Sequence, residues 1–84
     1  MTTENQRSYK IELEVNNQPG VLVRCAQVFG RRGHNIESLK VSPTDDDHDR
    51  SIMVIEAFGS EETIKQISLQ LQKLVDIISV DVSH

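Results

Sequence analysis

The order of apolar and polar residues predicts six regular elements along the 84 residues of the chain. Strict alternation over Tyr9–Asn16 is typical of a strand with one buried face. Further strands are predicted at Asn35–Ser42, Ile52–Phe58 and Val75–Val82. Because Ile52–Phe58 is apolar on both parities, it is expected at the centre of the sheet. The mixed pattern of Asn35–Ser42 indicates an edge strand with a bulge.

Two amphipathic helices are predicted between these strands. Apolar residues recur at helical spacing over Val21–Phe29, Pro19 fits the first turn, and Gly33 fits the left-handed position that ends the helix. The second helix is expected to follow Ser60, whose hydroxyl can cap the free N–H groups of the first turn. Its apolar stripe consists of Ile64, Ile67, Leu71 and Leu74.

The order strand-helix-strand occurs twice and is typical of the split βαβ arrangement. The predicted fold is therefore α+β, a ferredoxin-like βαββαβ sandwich with both helices on one face of an antiparallel sheet. Residues 9–83 are expected to form this single domain, and Met1–Ser8 is expected to be a short disordered leader. A second independent domain is excluded, because a separate core usually needs roughly 50 residues or more.

Charge and composition exclude several classes of partner. The net charge of −4, from 9 basic and 13 acidic residues, lacks the basic excess that nucleic-acid binding favours. No apolar run approaches the roughly 18 residues of a membrane span. The lone Cys25 cannot form an intramolecular disulfide, which fits a cytoplasmic protein. Cys25 lies on the apolar stripe of the first helix and is expected in the core.

No catalytic residues and no metal site are expected. The serines lack the base and orienting group that a nucleophile needs. His34, His48 and His84 share no spacing suited to one metal ion. The acidic run Asp45–Asp49 lacks the central glycine and closing glutamate of a calcium loop, and is interpreted as a solvated hairpin loop.

One set of residues in Asn17–Leu22 and Gly33–Leu39 fits a small ligand. Backbone N–H groups at the start of the first helix can hold a carboxylate. Asparagine amide oxygens can accept hydrogen bonds from an ammonium group, and aliphatic side chains can line the rest. These parts describe a free aliphatic amino acid bound by Asn17, Gly20, Val21, Leu22, Asn35 and Ile36. A purely structural interpretation stays open, in which Pro19 and Gly20 only open a helix and Gly33 only closes it.

The same motifs resemble the ACT domain, and more specifically the small regulatory subunits of acetolactate synthase (acetohydroxyacid synthase). The resemblance runs from about Tyr9 to Val82, nearly the whole chain. The Pro-Gly helix opening is common to ACT domains, whereas Arg31–Leu39 (RRGHNIESL) together with Lys73–Asp76 (KLVD) is much more specific to this subunit. The motifs are Asn17–Leu22 (NQPGVL), Phe29–Leu39 (FGRRGHNIESL), Val41–Asp46 (VSPTDD) and Gln72–Asp76 (QKLVD).

The resemblance implies a homodimer in which two sheets join side by side. It also implies feedback inhibition by valine, or another branched-chain amino acid, held between protomers by Asn17, the Gly20–Leu22 backbone, Asn35 and Ile36. Such a subunit has no catalysis of its own. It activates a large catalytic subunit, and the cofactors thiamine diphosphate, magnesium and FAD are expected only there.

Three alternatives differ in function. A free-standing ACT-domain amino-acid sensor could regulate another enzyme. An acylphosphatase-type enzyme on this fold needs an arginine in the first loop, but Asn17–Gly20 contains none and Arg24 lies a turn inside the helix. A metal chaperone needs paired thiols, which one cysteine does not provide. In length the chain resembles the short-type subunits, although a longer member cut after its ACT domain would look the same.

Overall fold

A computed structural model describes residues 6–44 and 49–83 and confirms the ferredoxin-like βαββαβ arrangement. The sheet has the strand order β2-β3-β1-β4, and all neighbouring strands are antiparallel. In chain order the elements are β1 (Gln6–Asn16), α1 (Val21–Arg31), β2 (Ile36–Pro43), β3 (Arg50–Ser60), α2 (Glu61–Gln72) and β4 (Ile77–Ser83).

The core lies between one face of the sheet and the two helices. Alternate residues of β1 and β3 point to this face, as their period of two requires, and the helices contribute residues at helical spacing. The buried apolar residues are Tyr9, Ile11, Leu13, Val15, Val21, Cys25, Phe29, Met53, Ile55, Ala57, Ile64, Ile67 and Leu71. The expected core position of Cys25 is thereby confirmed.

Strand β2 lies at an edge of the sheet, and its register shifts between Ile36 and Ser38. Both the predicted edge position and the predicted bulge are therefore confirmed. Leu39 and Val41 pair with Ile55 and Met53 and so face the helix side, yet they remain 38% and 49% exposed. The edge of the sheet thus carries apolar side chains that neither helix covers.

Both predicted helix-end signals are confirmed. Gly33 has φ of +64° after α1, its N–H donates to the Gly30 carbonyl at 3.0 Å, and the N–H of His34 donates to the Phe29 carbonyl at 2.9 Å. These two bonds form a Schellman motif. At the start of α2, the Ser60 hydroxyl accepts a hydrogen bond from the N–H of Thr63 at 3.1 Å.

The start of the chain differs from expectation in two places. Strand β1 begins at Gln6, so residues 6–8, expected in the leader, pair instead with Phe58–Ser60 of β3. Backbone pairing with a long central strand outweighs the polar side chains there. Residues 1–5 of the expected leader, and residues 45–48 of the expected acidic hairpin loop, lie outside the described part of the chain. Pro19 precedes α1 in a turn, because Gly20 adopts φ of +86° and α1 begins only at Val21.

The connection between α2 and β4 also differs from expectation. Helix α2 ends at Gln72, so Leu74, expected on its stripe, packs against the core from the following turn. The N–H of Leu74 donates to the Leu71 carbonyl at 3.0 Å, and the N–H of Ile77 donates to the Leu74 carbonyl at 3.1 Å. Because of this tight turn, Val75 is 85% exposed, and β4 begins at Ile77 instead of at Val75.

The two helices have 11 and 12 residues. Across residues 6–44 and 49–83, neither is long and apolar enough to cross a lipid bilayer.

Alanine substitutions at Gly30 and Gly33 are expected to change the free energy of unfolding in opposite directions. We expect Gly33→Ala to lower the free energy of unfolding by about 1 kcal/mol or more, because a Cβ disfavours its positive φ. Gly30→Ala is expected to raise it by about 0.5–1 kcal/mol, since a Cβ there meets nothing within 4 Å and alanine favours helix. Urea unfolding measures both. Equal effects of the two substitutions would contradict the assigned helix end.

Candidate functional site

The loop between β1 and α1 is held in place by backbone hydrogen bonds to two distant segments. The N–H of Asn16 donates to the Asp76 carbonyl at 2.8 Å, and the N–H of Asn17 donates to the Asp49 carbonyl at 2.6 Å. Within the loop, the N–H of Gln18 donates to the Asn16 carbonyl at 2.9 Å. The loop is therefore positioned by the residue that precedes β3 and by the turn before β4, as well as by its own sequence.

A cavity of about 220 Å³ opens beside this loop. Its volume lies below the roughly 300–1,000 Å³ of pockets for drug-sized ligands and so fits a smaller molecule. Four of the six predicted site residues line it: Asn17, Gly20, Val21 and Leu22. The other lining residues are Val15, Asn16, Gln18, Val41, Ser51 and Met53. The structure thus brings together the predicted residues of the first segment.

Helix α1 begins without a side-chain cap among the described residues. The N–H of Val21 donates to the Gln18 carbonyl at 3.3 Å, so the expectation that this amide is free is wrong. The turn that Pro19 and Gly20 form brings that carbonyl within reach. The amides of Gly20 and Leu22 stay the candidates for the predicted anion site, and Val21 contributes its buried side chain to the cavity wall.

Asn35 and Ile36 lie far from this cavity within one chain. Ile36 pairs with Ala57, whereas Pro43, at the other end of β2, pairs with Ser51 beside the cavity. At about 3.3 Å per residue, the strand separates these two ends by about 20 Å. The six predicted residues therefore form two groups at opposite ends of β2.

Six lining residues were absent from the sequence-based set, and three of them, Val41, Ser51 and Met53, lie on β2 and β3. They enter the site because β3 begins beside the end of β1 and β2 ends beside β3. Alternation along β3 marks Met53 as facing the helices, but only the strand order places it under the loop. Val41 contributes an aliphatic side chain to the cavity wall, a role that the sequence-based set gave to Ile36.

An ion pair ties α1 to the turn before β4. The guanidinium of Arg24 lies 3.1 Å from the carboxylate of Asp76, whose carbonyl also accepts the hydrogen bond from Asn16. The Arg24 side chain is 51% exposed, so the pair contributes little to stability by itself. Together the two contacts fix the orientation of α1 relative to the loop. Arg24 is thereby engaged away from the cavity, in which the acylphosphatase chemistry would require an arginine.

The described residues show no grouping suited to metal binding. No cluster of three His, Cys, Asp or Glu side chains occurs within residues 6–44 and 49–83. Because His48, His84 and Asp45–Asp47 lie outside these ranges, the expectation of no metal site stays a prediction. Burial raises the pKa of the Cys25 thiol to about 11, which disfavours the nucleophilic thiolate.

The fold is that of an ACT domain. The ACT domain of GTP pyrophosphokinase from Chlorobium tepidum, in a crystal structure, superposes with a TM-score of 0.77 at 13% identity, covering 93% of this chain and 99% of that one. At this identity the likeness shows the fold alone.

The family model described as AHAS small subunit-like ACT domain matches residues 11–79, and the chain belongs to this family. The small subunit of acetolactate synthase isozyme 3 from Escherichia coli is 47% identical over 66 residues, 79% of this chain and 40% of that protein. The probable small subunit from Archaeoglobus fulgidus is 46% identical over 72 residues, 86% of this chain and 45% of that protein.

A solved structure agrees with these relatives. The acetolactate synthase small subunit from Thermotoga maritima superposes with a TM-score of 0.80 at 37% identity, covering 90% of this chain and 47% of that one. The chain thus spans less than half the length of these small subunits.

The environment of Cys25 predicts an inert thiol in the folded protein. At pH 9 a pKa of about 11 leaves roughly 1% thiolate, whereas an exposed thiol with a pKa near 9 is about half ionised. We expect iodoacetamide at pH 9 to label the native protein at least about 10-fold more slowly than the urea-unfolded chain. Because the native state holds this proton more tightly, stability should fall as the pH rises from about 9 to about 11. Equal labelling rates would contradict the core position.

Proposed function

We propose that this chain is the ACT domain of a regulatory small subunit of acetolactate synthase. It acts as a homodimer that binds a branched-chain amino acid, with valine as the leading candidate, and passes the signal to the catalytic large subunit. One observation carries the proposal: the two halves of the site lie at opposite ends of β2, an edge strand that carries the exposed Leu39 and Val41.

A two-fold axis near the middle of β2 unites these halves. Antiparallel pairing of β2 with the same strand of a second copy, centred near Leu39, sets Asn35 of one protomer opposite Pro43 of its partner. Asn35 and Ile36 then approach the cavity of the neighbouring protomer. The same pairing covers Leu39 and Val41 and removes an open sheet edge. Each dimer therefore holds two composite sites.

The chemistry of each composite site fits a free aliphatic amino acid. The amides of Gly20 and Leu22 bind the carboxylate at the start of α1, where the helix dipole also favours negative charge. Asn17 and the partner protomer's Asn35 receive the ammonium group. Leu22, Val41 and Met53 surround the aliphatic side chain. A longer or charged ligand side chain would meet this apolar wall.

The regulatory role rests on the family of the chain. Its relatives are named as small subunits of acetolactate synthase, and the partner in this proposal is accordingly the large catalytic subunit. Thiamine diphosphate, magnesium and FAD belong to that large subunit. The complex works in the cytoplasm, which agrees with a chain whose single cysteine is buried and reduced. No described feature favours the free-standing sensor over this role.

Mixed dimers test the composite site. Isothermal titration calorimetry should show that valine binds the wild-type dimer at two sites. Asn17→Ala and Asn35→Ala should each weaken valine binding by about 10-fold or more, because each variant loses a hydrogen bond to a charged group. A dimer with one Asn17→Ala chain and one Asn35→Ala chain, purified through two different tags, should regain one wild-type site. That site takes its Asn17 and Asn35 from different chains.

Two results would overturn parts of this proposal. A mixed dimer without any wild-type site would place both asparagines in one protomer. A wild-type protein that binds none of valine, leucine or isoleucine, alone or with the large subunit, would remove the ligand from the proposal. Light scattering on the same samples establishes whether the dimer exists.

Reconstitution with the acetolactate synthase large subunit tests the regulatory role. Adding the wild-type chain should raise acetolactate formation, and valine should lower the raised rate. Leu39→Glu places a charge in the proposed dimer interface. Light scattering should therefore report a monomer, and the response to valine should be lost. Val23→Glu is the matched control, because Val23 is 58% exposed on α1 and is not among the residues that line the cavity. A large subunit whose rate is unchanged by the wild-type chain would exclude it as the partner.

A further inference from the structure

The imidazole of His34 packs directly on the backbone of Gly59. A Cβ at Gly59 would lie 2.5 Å from Cε1 and 2.7 Å from Nε2 of His34, closer than such contacts allow. The other neighbour of the ring is Phe29, with ring centroids 6.4 Å apart. The absence of a side chain at position 59 is therefore what allows the imidazole to reach the sheet.

This contact lies next to the irregular first residues of β2. The strand begins at Ile36, which pairs with Ala57, and its register shifts before Ser38. Asn35 precedes the strand and has no ladder partner in β3. On its other side His34 is fixed by the hydrogen bond from its N–H to the Phe29 carbonyl. The ring on Gly59 is thus a side-chain contact that joins the turn before Asn35 to β3.

We propose that His34 and Gly59 form a steric latch that positions Asn35, and so sets the affinity of the amino-acid site. The inference rests on the proposed function, because Asn35 reaches a ligand only in the composite site. His34 is a positioning residue in this role, since it acts through Asn35 and not on the ligand.

The latch depends on the shape of the His34 ring and not on its hydrogen bonding. Nε2 of His34 is buried and has no hydrogen-bond partner among residues 6–44 and 49–83. A flat apolar ring of similar width should therefore serve as well. This distinguishes the latch from a polar role of His34.

A double-mutant cycle read by valine titration tests the latch. Gly59→Ala should weaken valine binding about 10-fold in the wild-type background and less than about 2-fold in a His34→Ala background, where the colliding ring is gone. Gly30→Ala is the matched control, because a Cβ there meets nothing within 4 Å, and its affinity should equal that of the wild type. His34→Phe should retain affinity within about 2-fold, whereas His34→Ala should lose about 10-fold.

Further measurements separate the latch from a general loss of structure and from failure of the proposed function. Urea unfolding should show that Gly59→Ala remains folded, and the NMR shifts of the Asn35 and Ile36 amides should move in Gly59→Ala but not in Gly30→Ala. A wild-type protein that binds valine as tightly as its Gly59→Ala variant would overturn the latch alone. Affinity in His34→Phe as low as in His34→Ala would also overturn it. A wild type that binds no amino acid would overturn the latch together with the proposed function.

Discussion

The antiparallel pairing of β1 with β3 is the constraint on which the rest of the structure depends. It runs over eleven residue pairs, from Gln6 with Ser60 to Asn16 with Arg50, and the other two strands attach to its outer sides. At one end of this pair, the chain leaves β1 into the loop of the candidate site. At the other end, β3 receives the turn that carries Asn35. The length of one strand pair therefore decides how far apart the two halves of the site lie.

Local sequence signals predicted the fold well, because each depends on a few neighbouring residues. Gly33 ends α1 through its own backbone conformation, and Ser60 caps α2 with its own hydroxyl. The boundaries that differed depend on distant partners. Gln6 joins a strand because β3 is long enough to pair with it, and Val75 stays outside a strand because a tight turn follows α2.

The candidate site could be predicted only in part, for a related reason. Asn17 and Gly20 are four positions or fewer from the start of α1, so one turn places them together. Val41 and Met53 joined them through strand order, which no local pattern encodes. The resemblance to a family implied a role for Asn35, but in a single chain that residue precedes Ile36, which pairs with Ala57 away from the cavity. In the proposed dimer, a second copy of β2 brings the asparagine to the ligand.

The two helices begin in contrasting ways. Ser60 satisfies a donor at the start of α2, while α1 starts at a left-handed Gly20 without a side-chain cap in the described chain. A good cap contributes about 1 kcal/mol to stability. The start of α1, where the candidate ligand binds, lacks this contribution. Selection for heat resistance alone would favour variants in which a side chain of the protein accepts hydrogen bonds from the backbone N–H groups at the start of α1. Laboratory evolution of a more thermostable domain would thereby tend to make it insensitive to the proposed effector.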